Sequence, residues 1–323
     1  METLKKGSKG DAVRALQLAL TAATLGAERP AIDYLFGQEL HDTVVRFQTA
    51  QGLDADGIVG AKTWARLNEL TRFKFMVAMH GGHGGINPKG EYDTKPSTGK
   101  RYQHKGLTIH NDNGWFFEGV ENRIICNAVA KQLRELGVFV LVTHHPYQCD
   151  YGRLSMHRNA VMPFIEAGYR GYTHAFHSNA APTDVKDGNG NFVRNRTKAE
   201  LDAIRGGYVF TTEGSTFSDG VSRELLLLWQ ERFGAWVKTR DKASVATLKS
   251  DMEENFQVLR DIEVFSELGK IKHYGAILEE FGFYTSENDA LFIINERTRA
   301  MRIDAAVRLA LTIKQELTDA KVI

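Results

Sequence analysis

Four residues of this 323-residue chain have the types and settings that metal-assisted hydrolysis needs: His83, Glu118, His177 and Glu280. His83 sits in the glycine-rich turn His80-Gly-Gly-His83-Gly-Gly, which closes an apolar run from Phe73 to Met79. His177 follows the run Tyr172 to Phe176, Glu280 closes the segment YGAILEE, and Glu118 opens a helical pattern after Trp115-Phe116-Phe117. In open α/β sheets ligands gather beyond the carboxyl ends of the strands, so residues just past each strand are the ones to weigh. Two histidines and one glutamate form a known donor set for catalytic zinc, with a fourth position left for water. A further carboxylate must accept that water's proton, and Glu280 is placed to do so.

Each signal alone is weak. A histidine after a strand is more often a hydrogen-bonded structural group, and glutamates near element ends are usually solvated. His80 rivals His83 as a ligand or orients one from behind. Glu121 and Glu279 are what a slip of one turn or one residue would put in place of Glu118 and Glu280. A Cys/His nucleophile built from Cys149 with His144 or His145 is disfavoured, because nothing fixes an activating partner for the thiol. Cys126 falls on the buried face of a helical pattern.

The elements that must position these groups alternate: strand 73–79, helix 118–136, strand 138–143, strand 172–176, helix 220–236 and strand 274–279. The alternation predicts an α/β domain with a mainly parallel sheet flanked by helices. Segment 182–207 is polar, contains Asp187-Gly-Asn-Gly190, and reads as a hairpin or flap. Segment 241–265 reads as an inserted helical excursion, with Lys238 to Glu254 as a solvated helix.

Before residue 71 the texture differs. Val13, Leu16, Leu20 and Leu25 have near-helical spacing after Asp11, which is read as an N-cap. A second helix runs from Gln38 to the breaker Gly52, and a third carries Thr63, Trp64 and Leu67. Val13, Leu16 and Gln17 recur thirty-one residues on as Val44, Phe47 and Gln48, an internal repeat too short for a solenoid. The expected division is a small three-helix domain, residues 1–70, and a larger domain, 73–323.

Hydrophobic residues make up 42% and charged residues 25%, ordinary values for a soluble chain. Lysines and arginines number 41 against 40 acids, so no net field draws the chain to nucleic acid or anionic lipid. No apolar run would span a bilayer, and neither nucleic-acid binding nor membrane insertion is expected. A monomer is the expected state. Two cysteines are too few for a disulfide framework, and the N-terminus lacks a signal-peptide pattern.

The segments LKKGSKGDAVRALQ, LFGQELHDTVVRFQTAQGL and DADGIVGAKTWARL, within residues 4–70, resemble the small three-helix peptidoglycan-binding domain of wall hydrolases. The segments VAMHGGHGG, EGVENRI, AFHSNA and LEEFGFYTSENDA resemble the zinc-dependent N-acetylmuramoyl-L-alanine amidases. That second resemblance implies that His83, Glu118 (four residues before Asn122) and His177 hold Zn2+. It makes Glu280, before Phe281-Gly282-Phe283, the catalytic carboxylate, and Leu154 to Asn159 and Ser218 to Leu226 supporting helical segments. The family usually has an aspartate at the position of His80, and the stretch from Gly90 to Gly114 is longer than its pattern. Together the resemblances imply a hydrolase with bacterial peptidoglycan as partner, similar to a phage endolysin made in the host cytoplasm and let out to the cell wall at lysis. The alternatives are a zinc peptidase cutting within the stem peptide and a wall-binding protein without catalysis, the latter disfavoured by four intact site residues.

Overall fold

The computed structural model describes all residues except 1, 94–99, 149–153, 182, 212–214 and 235–271. The expected excursion at 241–265, the charged run from Lys238 to Glu254 and Cys149 therefore lie outside the described residues.

At the N-terminus, α1 (Asp11–Ala23), α2 (Gln38–Ala50) and α3 (Ala61–Leu70) enclose one core of Val13, Leu16, Leu20, Val44, Phe47, Trp64 and Leu67. Asp11 is not the cap of α1. Gly10 holds that position, and Asp11 stands in the first turn, where its charge meets the positive end of the helix.

The repeat noted in the sequence is a repeated hydrogen-bond device. Buried Gln17 donates from Nε2 to Asp33 Oδ1 at 2.7 Å and accepts from the Tyr34 N–H at 3.2 Å. Buried Gln48 donates to Asp56 Oδ1 at 3.1 Å and to the Ile58 carbonyl at 2.9 Å, and accepts from the Gly57 N–H at 2.9 Å. Each aspartate also takes the N–H two residues on, Leu35 and Ile58. The residues between, Tyr34 and Gly57, have φ of 65° and 71°. Each loop is thus an Asx-turn carried through the left-handed region and tied to a helix by a glutamine amide. Gly57 has no strain there, and a Cβ on it would lie 2.2 Å from the His41 ring.

The larger domain runs β1 (Phe75–Gly81), β2 (Arg101–Gln103), β3 (Trp115–Phe117), α4 (Glu118–Glu135), β4 (Val140–Val142), α5 (Leu154–Glu166) and β5 (Arg170–Asn179). It continues through β6 (Asp184–Lys186), β7 (Phe192–Asn195), α6 (Lys198–Asp202), β8 (Gly207–Thr211), α7 (Thr216–Phe233), β9 (Tyr274–Phe283), α8 (Glu287–Ile294) and α9 (Glu296–Asp319). The main sheet has the order β4-β1-β5-β9-β8, with β4, β1, β5 and β9 parallel and β8 antiparallel to β9. The mainly parallel sheet expected from the alternation is present. β1 is buried along its whole length, as a central strand covered on both faces must be.

Phe75, Val77 and Met79 point into a core with Ile125 and Val129 of α4, Leu225 and Trp229 of α7, and Leu309 and Ile313 of α9. Met76 and Ala78 point the other way, into a core shared by Val161 and Phe164 of α5 and by Leu18 and Ala22 of α1. One side of the N-terminal domain is therefore built into the back of the sheet. Arg134 Nε donates to the Leu25 carbonyl at 3.0 Å, and Arg14 pairs with Glu166 at 2.6 Å. Gly26, at φ 81°, lies so close that a Cβ would meet the Val140 oxygen at 2.1 Å.

Two differences from the sequence reading, the extent of β5 and β9 and the last two helices, bear on the site. β5 and β9 run on to Asn179 and Phe283, so His177 and Glu280 lie within strands and not beyond them. Polar residues in the buried strand ends hid their extent. The polar segment 182–207 does hold a hairpin, β6 with β7, followed by α6 under a Thr197–Glu200 capping box. Helices α8 and α9 were not anticipated, although Asn295 caps α9 by accepting from the N–H groups of Arg297 and Thr298. No helix among the described residues is long and apolar enough to cross a membrane.

Replacing Gln48 by Leu leaves the buried Gly57 N–H and the part-buried Ile58 carbonyl without their amide partner. The expected loss is about 2–3 kcal/mol of unfolding free energy, read as a lower midpoint at unchanged slope in urea denaturation.

Candidate metal centre

The turn after β1 has to bring a histidine against the start of α4, and its glycines make the approach possible. A Cβ on Gly82 would lie 2.0 Å from the His177 ring, and one on Gly84 would lie 1.7 Å from the Asp93 carbonyl oxygen. From the other side, a Cβ on Gly119 would lie 1.8 Å from the Gly84 oxygen. Backbone thus packs on backbone at the residues next to His83 and Glu118. His83 itself has φ 62°, a left-handed conformation that costs a non-glycine residue about 1 kcal/mol and clusters at functional sites.

Glu118 is the first residue of α4, a helix without a side-chain cap. The segment found longer than the family pattern supplies partners instead. His110 Nδ1 accepts from the Phe117 N–H at 2.8 Å, the Lys100 carbonyl from the Glu118 N–H at 3.1 Å, and the Tyr92 hydroxyl from the Gly119 N–H at 3.0 Å. Those donors would otherwise be orphaned at the helix end. On β5, His177 is the register partner of Glu280 on β9.

His83, Glu118 and His177 come together with ligand atoms all within 4.8 Å of one another, the one such group among the described residues. Glu118 Oε1 is 3.2 Å from His83 Nε2 and 3.2 Å from His177 Nδ1, and the two rings meet edge-on with centroids 5.0 Å apart. Glu118 is fully buried, whereas the His83 and His177 side chains keep 16% and 13% of their surface, which leaves the cluster open on the histidine side. Lys100 Nζ lies 3.8 Å from Glu118 Oε2.

Burial, the largest influence on Glu118, raises its pKa. The charge of His83, hydrogen bonds from both histidines and Lys100 outweigh it and hold the carboxyl well below the usual range. Burial lowers the pKa of His177 to about 4, so its imidazole is neutral and has a lone pair to give near neutral pH. Glu280 goes the other way: burial first, then the negative charge of Glu118, raise it well above an ordinary carboxylate. Its Oε2, like Glu118 Oε2, is a buried oxygen without a hydrogen bond among the described residues. Two nitrogens, a buried carboxylate and oxygens left for a cation fit a divalent metal of zinc type.

The remaining candidates have other tasks. His80 packs among buried His144 and His157, with ring centroids at 6.4 and 5.9 Å, outside the three-residue cluster. Burial lowers the pKa of all three. His144 Nδ1 accepts from the Gly81 N–H at 2.9 Å, and His145 Nδ1 from the Gln148 N–H at 3.0 Å. Cys126 is buried and its thiol pKa is raised by that burial, which removes it as a nucleophile. Glu121 and Glu279 are fully buried and bound to Arg299 and Arg302. Sequence reasoning missed Lys100 and both arginines. Only the arginines left a signal, being three residues apart in one helical stretch.

Residues 9–67 match the family model described as a putative peptidoglycan binding domain. Among curated proteins, the chain is 43% identical over 68 residues to the zinc D-Ala-D-Ala carboxypeptidase of Streptomyces albus G, covering 21% of this chain and 27% of that protein. It is 41% identical over 68 residues to the N-acetylmuramoyl-L-alanine amidase CwlL of Bacillus licheniformis, covering 20% and 19%. The chain spans from about a fifth to about half of the length of the curated relatives it matches. Among solved structures, it is similar to the N-acetylmuramoyl-L-alanine amidase AmiC2 of Nostoc punctiforme, at 16% identity over 75% of this chain and 98% of that one, with a TM-score of 0.44. The amidase of Clostridium difficile 630 gives 20% identity, 76% and 98% coverage and a TM-score of 0.44.

The close approach at Gly82 yields a sharp test. Gly82→Ala puts a methyl group into the space of the His177 ring and is expected to lower Zn2+ affinity at least about tenfold in competition with a chelating dye. Gly188→Ala, with nothing within 4 Å of the new carbon, should leave it unchanged.

Proposed function

We propose that this chain is a peptidoglycan hydrolase, a zinc amidase that cleaves between the lactyl group of N-acetylmuramic acid and the L-alanine of the stem peptide. The observation that carries the reading is the convergence of His83, Glu118 and His177 with Glu280 at the register position across from His177. The match of residues 9–67 to a putative peptidoglycan binding domain supports the wall as the substrate. Such a domain would raise the local concentration of the site on an insoluble polymer without touching its chemistry.

In this reading His83, Glu118 and His177 hold the zinc. Bound there, the metal would supply Lewis-acid chemistry, polarising the scissile carbonyl and making water acidic enough to attack it near neutral pH. Glu280, as carboxylate, accepts a proton from the attacking water and passes it to the departing nitrogen. The carbon–nitrogen bond breaks, the lactyl side gains the water oxygen as a carboxylate, and alanine leaves with a free amine. His177 stays neutral throughout, and Glu118 balances the positive charge at the centre.

Purified walls digested with the protein should show new amino-terminal alanine without new reducing ends, by mass spectrometry and end-group analysis. New termini further along the stem would identify a peptidase, and no new ends at all a binding protein only. Glu280→Gln should cut turnover by about a hundredfold or more while zinc content and wall binding persist, an active variant being incompatible with Glu280 as the base. His177→Ala should lose zinc as well. Chelation should abolish cleavage and added Zn2+ restore it.

A further inference from the structure

We propose that Arg299 and Arg302, one turn apart on α9, are positioning residues that hold the two halves of the metal centre in alignment. The inference rests on the reading of His83, Glu118, His177 and Glu280 as a zinc hydrolase. Glu118 belongs to α4, whereas His177 and Glu280 belong to the sheet. α9 reaches both.

Arg299 Nε donates to Glu121 Oε1 at 2.8 Å, one turn beyond Glu118 on α4. His110 Nε2 lies 3.1 Å from Glu121 Oε2, while its Nδ1 accepts from the N–H of Phe117, the residue before Glu118. Because Nδ1 accepts, Nε2 carries the proton and donates to Glu121. The first turn of α4 is thus gripped ahead of Glu118 and behind it by one connected network.

Arg302 does the same for the strands. Its Nε donates to Glu279 Oε1 at 2.7 Å, its Nη2 donates to the His177 carbonyl at 3.1 Å, and its guanidinium lies 4.5 Å from the centre of the Phe281 ring. Glu279 and Phe281 flank Glu280 and, by strand alternation, turn to the opposite face. Glu279 also accepts from His174 Nε2 at 2.9 Å. One side chain therefore touches both neighbours of Glu280 and the backbone of His177. It does so where the β5–β9 register shifts, between His177 and Asn179, and regular ladder bonds cannot fix the geometry.

Arg302 and Glu279 are 1% and 0% exposed. A buried ion pair of this kind adds little stability over a well-packed apolar replacement, because desolvation offsets the attraction. What a planar guanidinium adds is direction, through donors in a fixed fork that an ammonium cannot copy. The pairs on Glu121 and Glu279 fit that use.

The test uses Arg302→Lys and Arg299→Lys in the full chain, which keep the charge and remove the fork, with Glu279→Gln and Glu121→Gln deciding if a lysine variant fails to fold. Zinc affinity, the visible spectrum of the Co2+-substituted protein, and kcat and KM on a soluble muropeptide are measured beside the melting temperature. For Arg302→Lys we expect kcat to fall about tenfold to a hundredfold with KM within about twofold, and the cobalt bands to shift. For Arg299→Lys we expect zinc affinity to fall about tenfold, again with shifted bands. Folded variants with wild-type spectrum, affinity and kcat, or with a lowered melting temperature alone, overturn the proposal. A wild-type protein that binds no zinc overturns it together with the functional reading. One that binds zinc but cuts no wall amide sinks only the functional reading, since affinity and spectra still decide the role of the arginines.

Discussion

A carboxylate with no access to water must be matched by positive charge and directed hydrogen bonds, or it takes up a proton. Glu118 is such a group, fully buried at the first residue of a helix, with two imidazoles on one oxygen and a lysine near the other. Much of the surrounding structure follows from accommodating it. The glycines of the turn after β1 and at the start of α4 let two backbones touch, so that His83 reaches the carboxylate at all. The long segment before β3 satisfies the helix end that Glu118 occupies. Burial, and then this same charge, raise the pKa of Glu280, so two carboxylates of one site hold protons very differently.

Charge in this interior is arranged in layers. Behind the carboxylates that face the cluster stand two more, Glu121 and Glu279, each fully buried and each paired with an arginine and a histidine. On β9 the two glutamates are strand neighbours and turn to opposite faces of the sheet, whereas on α4 Glu121 follows Glu118 by one turn along the same side of the helix.

Much of this was legible in the sequence, for physical reasons that differ by element. β1 and α4 carry clean apolar patterns with glycine punctuation, and their boundaries are close to the expected ones. β5 and β9 were read too short, because polar residues in a buried strand end look like the start of a loop. α9 was passed over although Ala306, Leu309, Ala310, Ile313 and Leu317 keep helical spacing, its many charged residues diluting the signal. His80 and His83 could not be ranked from spacing alone. Strand alternation turns His80 toward α5, and the left-handed conformation of His83, which no pattern encodes, swings the chain back toward Glu118. Gln17 and Gln48 showed a repeat, but not that it consists of amides tying loops to helices.

The shared core between α1 and the back of the sheet has a consequence for reach. A gripping domain on a slack tether lets a cutting site roam a sphere around each anchor point. Here Leu18 and Ala22 are packed with Met76 and Ala78, and Gly26 lies against Val140, so the two parts share a core instead of a tether. If the N-terminal domain grips the polymer and the metal centre cuts it, that shared core sets the offset and orientation of a cut from the grip, like the second point of a pair of dividers.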